Sequence, residues 1–201
     1  MKLIEKLLAI AALSLAALSS APALAAPILT FAPSSQTVDL GDIATVDVMV
    51  TNLTGEFVGT YDFNVNWDAS LLSLQSLTFG DALDGPLDSI AGFLGGSGSV
   101  NAFEVSLGAL ANQDGLSDFR LFTLAFNTLA LGTSALSFTS GIIPSGLLGD
   151  ELGQLLAVST TEGSITIQGQ PDMAVPEPGT LGLMALGVGF IGMLRRRRAS
   201  V

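Results

Sequence analysis

The chain's ionisable side chains are eighteen carboxylates, seven lysines and arginines and one tyrosine, Tyr61; its 201 residues include neither histidine nor cysteine. Without imidazole or thiolate, Ser-His-Asp and Cys-His nucleophilic centres, zinc-binding helices, disulfides and iron–sulfur clusters are all excluded. Carboxylate chemistry and oxygen-ligated cations remain. A carboxylate-based glycosidase would need two such groups held about 5–10 Å apart across a cleft. Sixteen acidic residues between Ala26 and Val175 permit many pairs, and no spacing singles one out. No residue is assigned as catalytic, and the chain is read as a non-enzyme. Oxygen ligands for calcium could come from the loop bearing Asp81, Asp84 and Asp88, or from Asp114, Asp118, Asp150 and Glu151. Their spacing departs from the twelve-residue EF-hand loop, and acidic residues beside glycine also form ordinary turns. The metal set therefore stays unknown, and no other cofactor is expected. Trp67 and Tyr61 could stack on a sugar, but they share a period-two face with Phe63 and Val65, which assigns them to a core.

Both ends read as addresses. Lys2 and Lys6, an apolar run from Leu7 to Leu18 broken only by Ser14, and the small residues Ala23-Leu24-Ala25 follow the order of a secretory signal peptide. Residues 1–25 are expected to form a signal helix, with Ala23 and Ala25 marking cleavage after Ala25. At the other end, Leu181 to Leu194 carries no charge and leads directly into Arg195, Arg196, Arg197 and Arg198. A spanning helix usually takes about 20 apolar residues, so this one crosses with bilayer thinning or snorkelling arginines. The arginines hold residues 195–201 in the cytoplasm as a basic tail. Between domain and helix, residues 171–180 form a linker. In it, Pro176, Glu177, Pro178 and Gly179 permit neither helix nor central strand.

Taken in order, Pro176-Glu177-Pro178, the short apolar helix and the arginine cluster closely resemble the PEP-CTERM sorting signal of Gram-negative bacteria. The resemblance implies recognition by an exosortase, a membrane enzyme that processes the tail. It also implies transient residence in the inner membrane, through the C-terminal helix, followed by delivery to the cell surface or extracellular matrix.

With both ends set aside, Arg120 is the one basic residue facing sixteen acidic ones, a net charge of −15 for residues 26–175. Such a surface repels phosphate backbones, so nucleic acid is not an expected partner. Period-two alternation runs through this piece: Ala44, Val46, Val48 and Val50; Tyr61, Phe63, Val65 and Trp67; Phe103, Val105 and Leu107; Phe122, Leu124 and Phe126; Leu136 and Phe138; Ile165 and Ile167. Turn-forming clusters separate these runs, and no helical period extends over ten residues. The expected fold is all-β: an antiparallel jelly-roll β-sandwich of about eight or nine strands over residues 26–170. The valine-rich run from Thr45 to Thr51, the aromatic run closing on Trp67-Asp68-Ala69-Ser70-Leu71-Leu72, and the last run Gly163-Ser164-Ile165-Thr166-Ile167 are similar to the cohesin-like and bacterial carbohydrate-binding jelly-roll superfamily. That resemblance implies adhesion or assembly with another surface protein. The alternative is a carbohydrate-binding module for exopolysaccharide.

If the tail is an exosortase signal, Glu177→Ala should leave the protein in the inner membrane while wild type moves outward. Fractionation of the producing cells checks this, and normal release of the variant would contradict it.

Overall fold

The computed structural model describes residues 26–83, 88–142 and 146–169. The expected signal helix and spanning helix, the Pro176-Glu177-Pro178 linker and the tail 195–201 lie outside these residues. Among the described residues no helix is long and apolar enough to cross a membrane.

Twelve strands follow in order: β1 Ile28–Ala32, β2 Ser35–Asp39, β3 Ile43–Thr51, β4 Thr60–Asn66, β5 Leu72–Phe79, β6 Ser89–Gly96, β7 Ser99–Ser106, β8 Phe119–Thr128, β9 Gly132–Ser140, β10 Leu148–Gly149, β11 Ser159–Thr160 and β12 Gly163–Gln168. They build a two-sheet sandwich. One sheet runs β11-β1-β3-β8-β5; the other runs β2-β12-β9-β4-β7-β6, with β10 beside β4. The count exceeds the expected eight or nine for identifiable reasons. The N-terminal run divides at Pro33 into β1 and β2, one in each sheet; β10 and β11 are two-residue pairings; and β6 lacks alternation. Two pairings, β1 with β11 and β2 with β12, are parallel, because the first run lies beside the last and points the same way. The remaining pairings are antiparallel.

The alternating runs place their apolar positions between the sheets. From one sheet come Leu29, Phe31, Val46, Val48, Leu124 and Phe126; from the other, Phe63, Val65, Leu136, Ile165 and Ile167, all essentially buried. Aromatic rings meet across the gap among these aliphatic side chains. Phe31 stacks on Phe138 at 4.3 Å, and Trp67 meets Phe126 edge-on at 5.1 Å. Phe122 touches Tyr61 at 5.9 Å, Phe63 at 5.7 Å and Phe79 at 6.4 Å. A pair of such rings contributes about 0.5–1.5 kcal/mol beyond the area it buries.

One run lies in the opposite phase to the reading above. On β7 the inward residues are Val100, Ala102 and Glu104, while Val105 and Leu107 are exposed and Phe103 is only half-buried. Alternation fixes a period but not which phase faces the core. Ala102 pairs in register with Phe63 and leaves room for its ring, and Phe103 lies across Gly92, where any Cβ would come within 2.6 Å of it. β6 and β7 form a hairpin through Ser97-Gly98, with Gly98 at φ +77°, a conformation that glycine adopts at little cost.

Phe122→Ala removes the ring shared by both sheets. It is expected to cost about 3–5 kcal/mol in urea unfolding, whereas Phe93→Ala, at a half-exposed ring, should stay within about 1 kcal/mol of wild type.

Candidate functional site

The two rings that could have formed a sugar platform are consumed by the core. Trp67 is buried and its indole N–H donates to the Leu72 carbonyl at 3.0 Å. Tyr61 is 1% exposed. Among the described residues no three of His, Cys, Asp or Glu gather as a metal-holding group. Asp150 Oδ1 is occupied in its own turn, accepting from the Leu152 and Gln154 N–H groups at 2.8 and 2.7 Å. Asp118 accepts from the Ser117 hydroxyl, and Asp81, Asp88, Asp114 and Glu151 are exposed. Asp84 lies outside the described residues, as do Ala23, Ala25, Pro176, Glu177, Pro178 and Arg195 to Arg198.

Sequence reasoning missed the polar centre of the core. Glu104 on β7 is 2% exposed. Its Oε2 accepts from the Tyr61 hydroxyl at 2.9 Å and its Oε1 from the Ser89 hydroxyl at 2.8 Å. Register brings them together, since Tyr61 and Glu104 are direct cross-strand partners. Loss of hydration raises the Glu104 pKa above the usual glutamate range, and the Ser89 and Tyr61 hydrogen bonds oppose that rise. Burial, then the neighbouring carboxylate, push the Tyr61 phenol upward too. The groups that touch Glu104 are hydroxyls, and their bonds tie β7 to β4 and to the start of β6. The cluster is not a pair of carboxylates working across a cleft.

Gln113, in the 3₁₀ turn Ala111–Gln113, is a second buried polar group. Its Oε1 accepts from the Val58 N–H at 2.8 Å, and its Nε2 donates to the carbonyls of Val58 at 2.8 Å and Ala82 at 3.2 Å. One amide thus replaces a missing strand neighbour, a role with no short-range signal in the sequence.

The outer face of the β2-β12-β9-β4-β7-β6 sheet has a distinct character. Thr37, Thr166 and Thr133 stand in one row across three strands, with Thr133 and Thr166 hydroxyls 3.1 Å apart. Asn64 and Asn66 reach the Ser140 carbonyl and the Thr139 hydroxyl on β9. Its two carboxylates are engaged: Asp39 accepts from Gln168, and Asp62 accepts from Asn101 and from the Ile142 N–H. Toward β6 the face becomes apolar, where Ile90 and Leu94 are 58% and 60% exposed and Val105 is exposed as well. A groove of about 370 Å³ opens on the flank of the sandwich, bordered by Leu72–Ser76 on one side and by Phe93 and Gly95–Gly98 on the other.

The described residues form a two-sheet sandwich with Trp67 and Tyr61 buried and an outer face made mainly of hydroxyl, amide and apolar groups. Two family models match the chain: the cohesin domain over residues 29–167 and the PEP-CTERM protein-sorting motif over residues 174–198. The chain belongs to the cohesin domain family, and it carries a sorting signal near its C-terminus. Similar solved structures include the sixth cohesin of scaffoldin B from Acetivibrio cellulolyticus, bound to a dockerin; identity is 17%, 72% of this chain and 100% of that one are covered, and the TM-score is 0.56. A cohesin module from a Clostridium perfringens family 33 glycoside hydrolase matches at 15% identity, covering 72% and 98%, with TM-score 0.57. A Clostridium acetobutylicum cohesin matches at 18% identity, covering 73% and 93%, with TM-score 0.54. These likenesses establish the fold. A search of curated proteins finds no match.

Because Glu104 binds its proton more tightly folded than unfolded, its contribution is fully present below the ordinary glutamate range and is lost as pH rises through the folded value. Glu104→Gln should therefore gain stability over wild type as pH moves from acid to neutral, read as the difference between their urea midpoints at each pH. Tyr61→Phe, which leaves Glu104 with one donor fewer, should lose about 1–3 kcal/mol.

Proposed function

We propose that this chain is a non-catalytic assembly module, exported by its signal peptide, sorted outward through its C-terminal signal after exosortase processing, and used to hold another surface protein. The observation that carries the reading is the succession of a cohesin-family sandwich and a sorting motif in one chain. The non-catalytic part is supported by the fate of Glu104, the one buried carboxylate among the described residues, whose oxygens accept from Tyr61 and Ser89.

The docking surface we assign is the outer face of the larger sheet. Its exposed groups are hydroxyls and amides grading into branched apolar side chains, so a protein can meet it without desolvating an unpaired charge. A net charge of −15 on residues 26–175 adds long-range attraction for a basic partner. Several of the similar structures are cohesins bound to dockerins, which supports a protein partner. Burial of Trp67 and Tyr61 argues against an exopolysaccharide held by ring stacking.

Charging this face should separate the readings. Ala135→Asp combined with Thr139→Asp, both exposed on β9, is expected to release the protein from the producing cells into the medium, whereas Thr45→Asp on the other sheet's outer face should leave it attached. Protease treatment of acceptor cells should abolish rebinding of wild type. Loss of rebinding after polysaccharide digestion alone would instead assign the surface to a glycan.

A further inference from the structure

The two flanks of the sandwich are finished differently. On one flank the chain crosses between sheets from β1 to β2, and the terminal strands there are short: β11 has two residues, and β2 has five, ending in Asp39. On the other flank, β5 and β6 are the terminal strands, eight residues each. An edge strand offers backbone N–H and C=O groups to any extended chain, and folded proteins blunt such edges with charge, proline or bulges. β5 is interrupted by a register shift between Leu74 and Ser76. β6 has no such protection: it pairs with β7 through eight consecutive residues without a shift and contains no charged residue and no proline. It also concentrates exposed apolar surface, with Ile90 and Leu94 toward the outer face and Phe93, 46% exposed, toward the groove.

The sequence of this strand is complementary to itself when reversed. With Gly92 placed opposite Gly92 of another copy, Ile90 faces Leu94 and Ala91 faces Phe93, a small residue against a large one, while Ser89 faces Gly95. Asp88, the exposed acidic residue preceding the strand, falls opposite Gly96 instead of another carboxylate. We propose that β6 pairs antiparallel with β6 of a second copy of this chain in this register, forming a two-fold dimer whose larger sheets are continuous. Ile90 and Leu94 then cover one another on the outer face, and the Phe93 rings close the two grooves from the inner side. The pairing uses the β6 edge of the face assigned to a protein partner, whereas Ala135 and Thr139, which test that assignment, lie on β9 outside it, so each can fail without the other.

Because the contact is uncharged and the domains repel one another at long range, added salt strengthens the dimer instead of weakening it. Light scattering on the full chain in detergent micelles, between about 20 mM and about 0.5 M NaCl, should give twice the protomer mass with association rising with salt. Leu94→Lys and Ile90→Lys, both at exposed positions, should each weaken association at least ~10-fold, about 1.4 kcal/mol, with unchanged thermal midpoints. The natural chain has no cysteine, which makes the register directly readable. Ile90→Cys together with Leu94→Cys should yield an intermolecular disulfide under mild oxidation, since directly paired residues lie about 4.5–5.5 Å apart, while either single variant should not. A monomer at every salt concentration overturns the proposal. So does a dimer that ignores both lysine variants, which would come from the membrane tail, and so does cross-linking of the single variants as efficient as that of the pair.

Discussion

The two sheets hold together because each must hide one apolar face, and the face it hides is the other's. Phe122 shows how narrow that constraint is: it comes from β8 in one sheet and lies against Tyr61 and Phe63 from β4 in the other. Phe31 on Phe138 and Trp67 on Phe126 repeat the arrangement on either side. With no disulfide available, this ring-to-ring packing and the aliphatic side chains around it supply the cohesion of the domain. Apart from the β6–β7 hairpin, neighbouring long strands are distant in sequence, so the packing forms only when the whole topology is in place.

The polar groups inside this core follow from the same constraint. Backbone and side-chain polar atoms withdrawn from water must find partners. Trp67 gives its N–H to Leu72, Gln113 satisfies Val58 and Ala82, and Glu104 accepts from Tyr61 and Ser89. The Gln113 and Glu104 bonds join segments that are distant in sequence. Glu104 is the costliest of the three, and the two hydroxyls that meet it tie β4, β7 and the start of β6 into one unit. The strand that carries the exposed Ile90, Phe93 and Leu94 is therefore held against a rigid support.

Surface chemistry divides along the same lines. Most of the domain's carboxylates occupy loops and turns, where Asp68 and Asp150 close their own turns. The Ser70 hydrogen bonds keep the Asp68 pKa below the usual aspartate range. The broad sheet face is left to threonine, serine and asparagine, with its two carboxylates already engaged. The acidic loops favour solubility, while the broad sheet face keeps mainly uncharged groups.

Much of this architecture was legible in the linear chain. The absence of histidine and cysteine ruled out whole classes of chemistry, and the order of Pro-Glu-Pro, apolar run and arginines near the C-terminus carried the sorting motif. Runs such as Tyr61-Phe63-Val65-Trp67 specified strands with one buried side, because side chains alternate along any strand whatever it pairs with. The phase of β7 was not legible: Phe103, Val105 and Leu107 look more apolar than Val100, Ala102 and Glu104, and it is the pairing with Tyr61 and Phe63 on β4 and with Gly92 on β6 that makes the second set the inward one. Nor was β6 legible, since its glycines break the alternation and its place at the sheet edge comes from pairing with β7. Local composition marked the alternating segments as strands and the C-terminal run as a sorting motif. Strand order, buried partners and exposed edges were decided only by tertiary structure, because each depends on contacts between residues tens of positions apart.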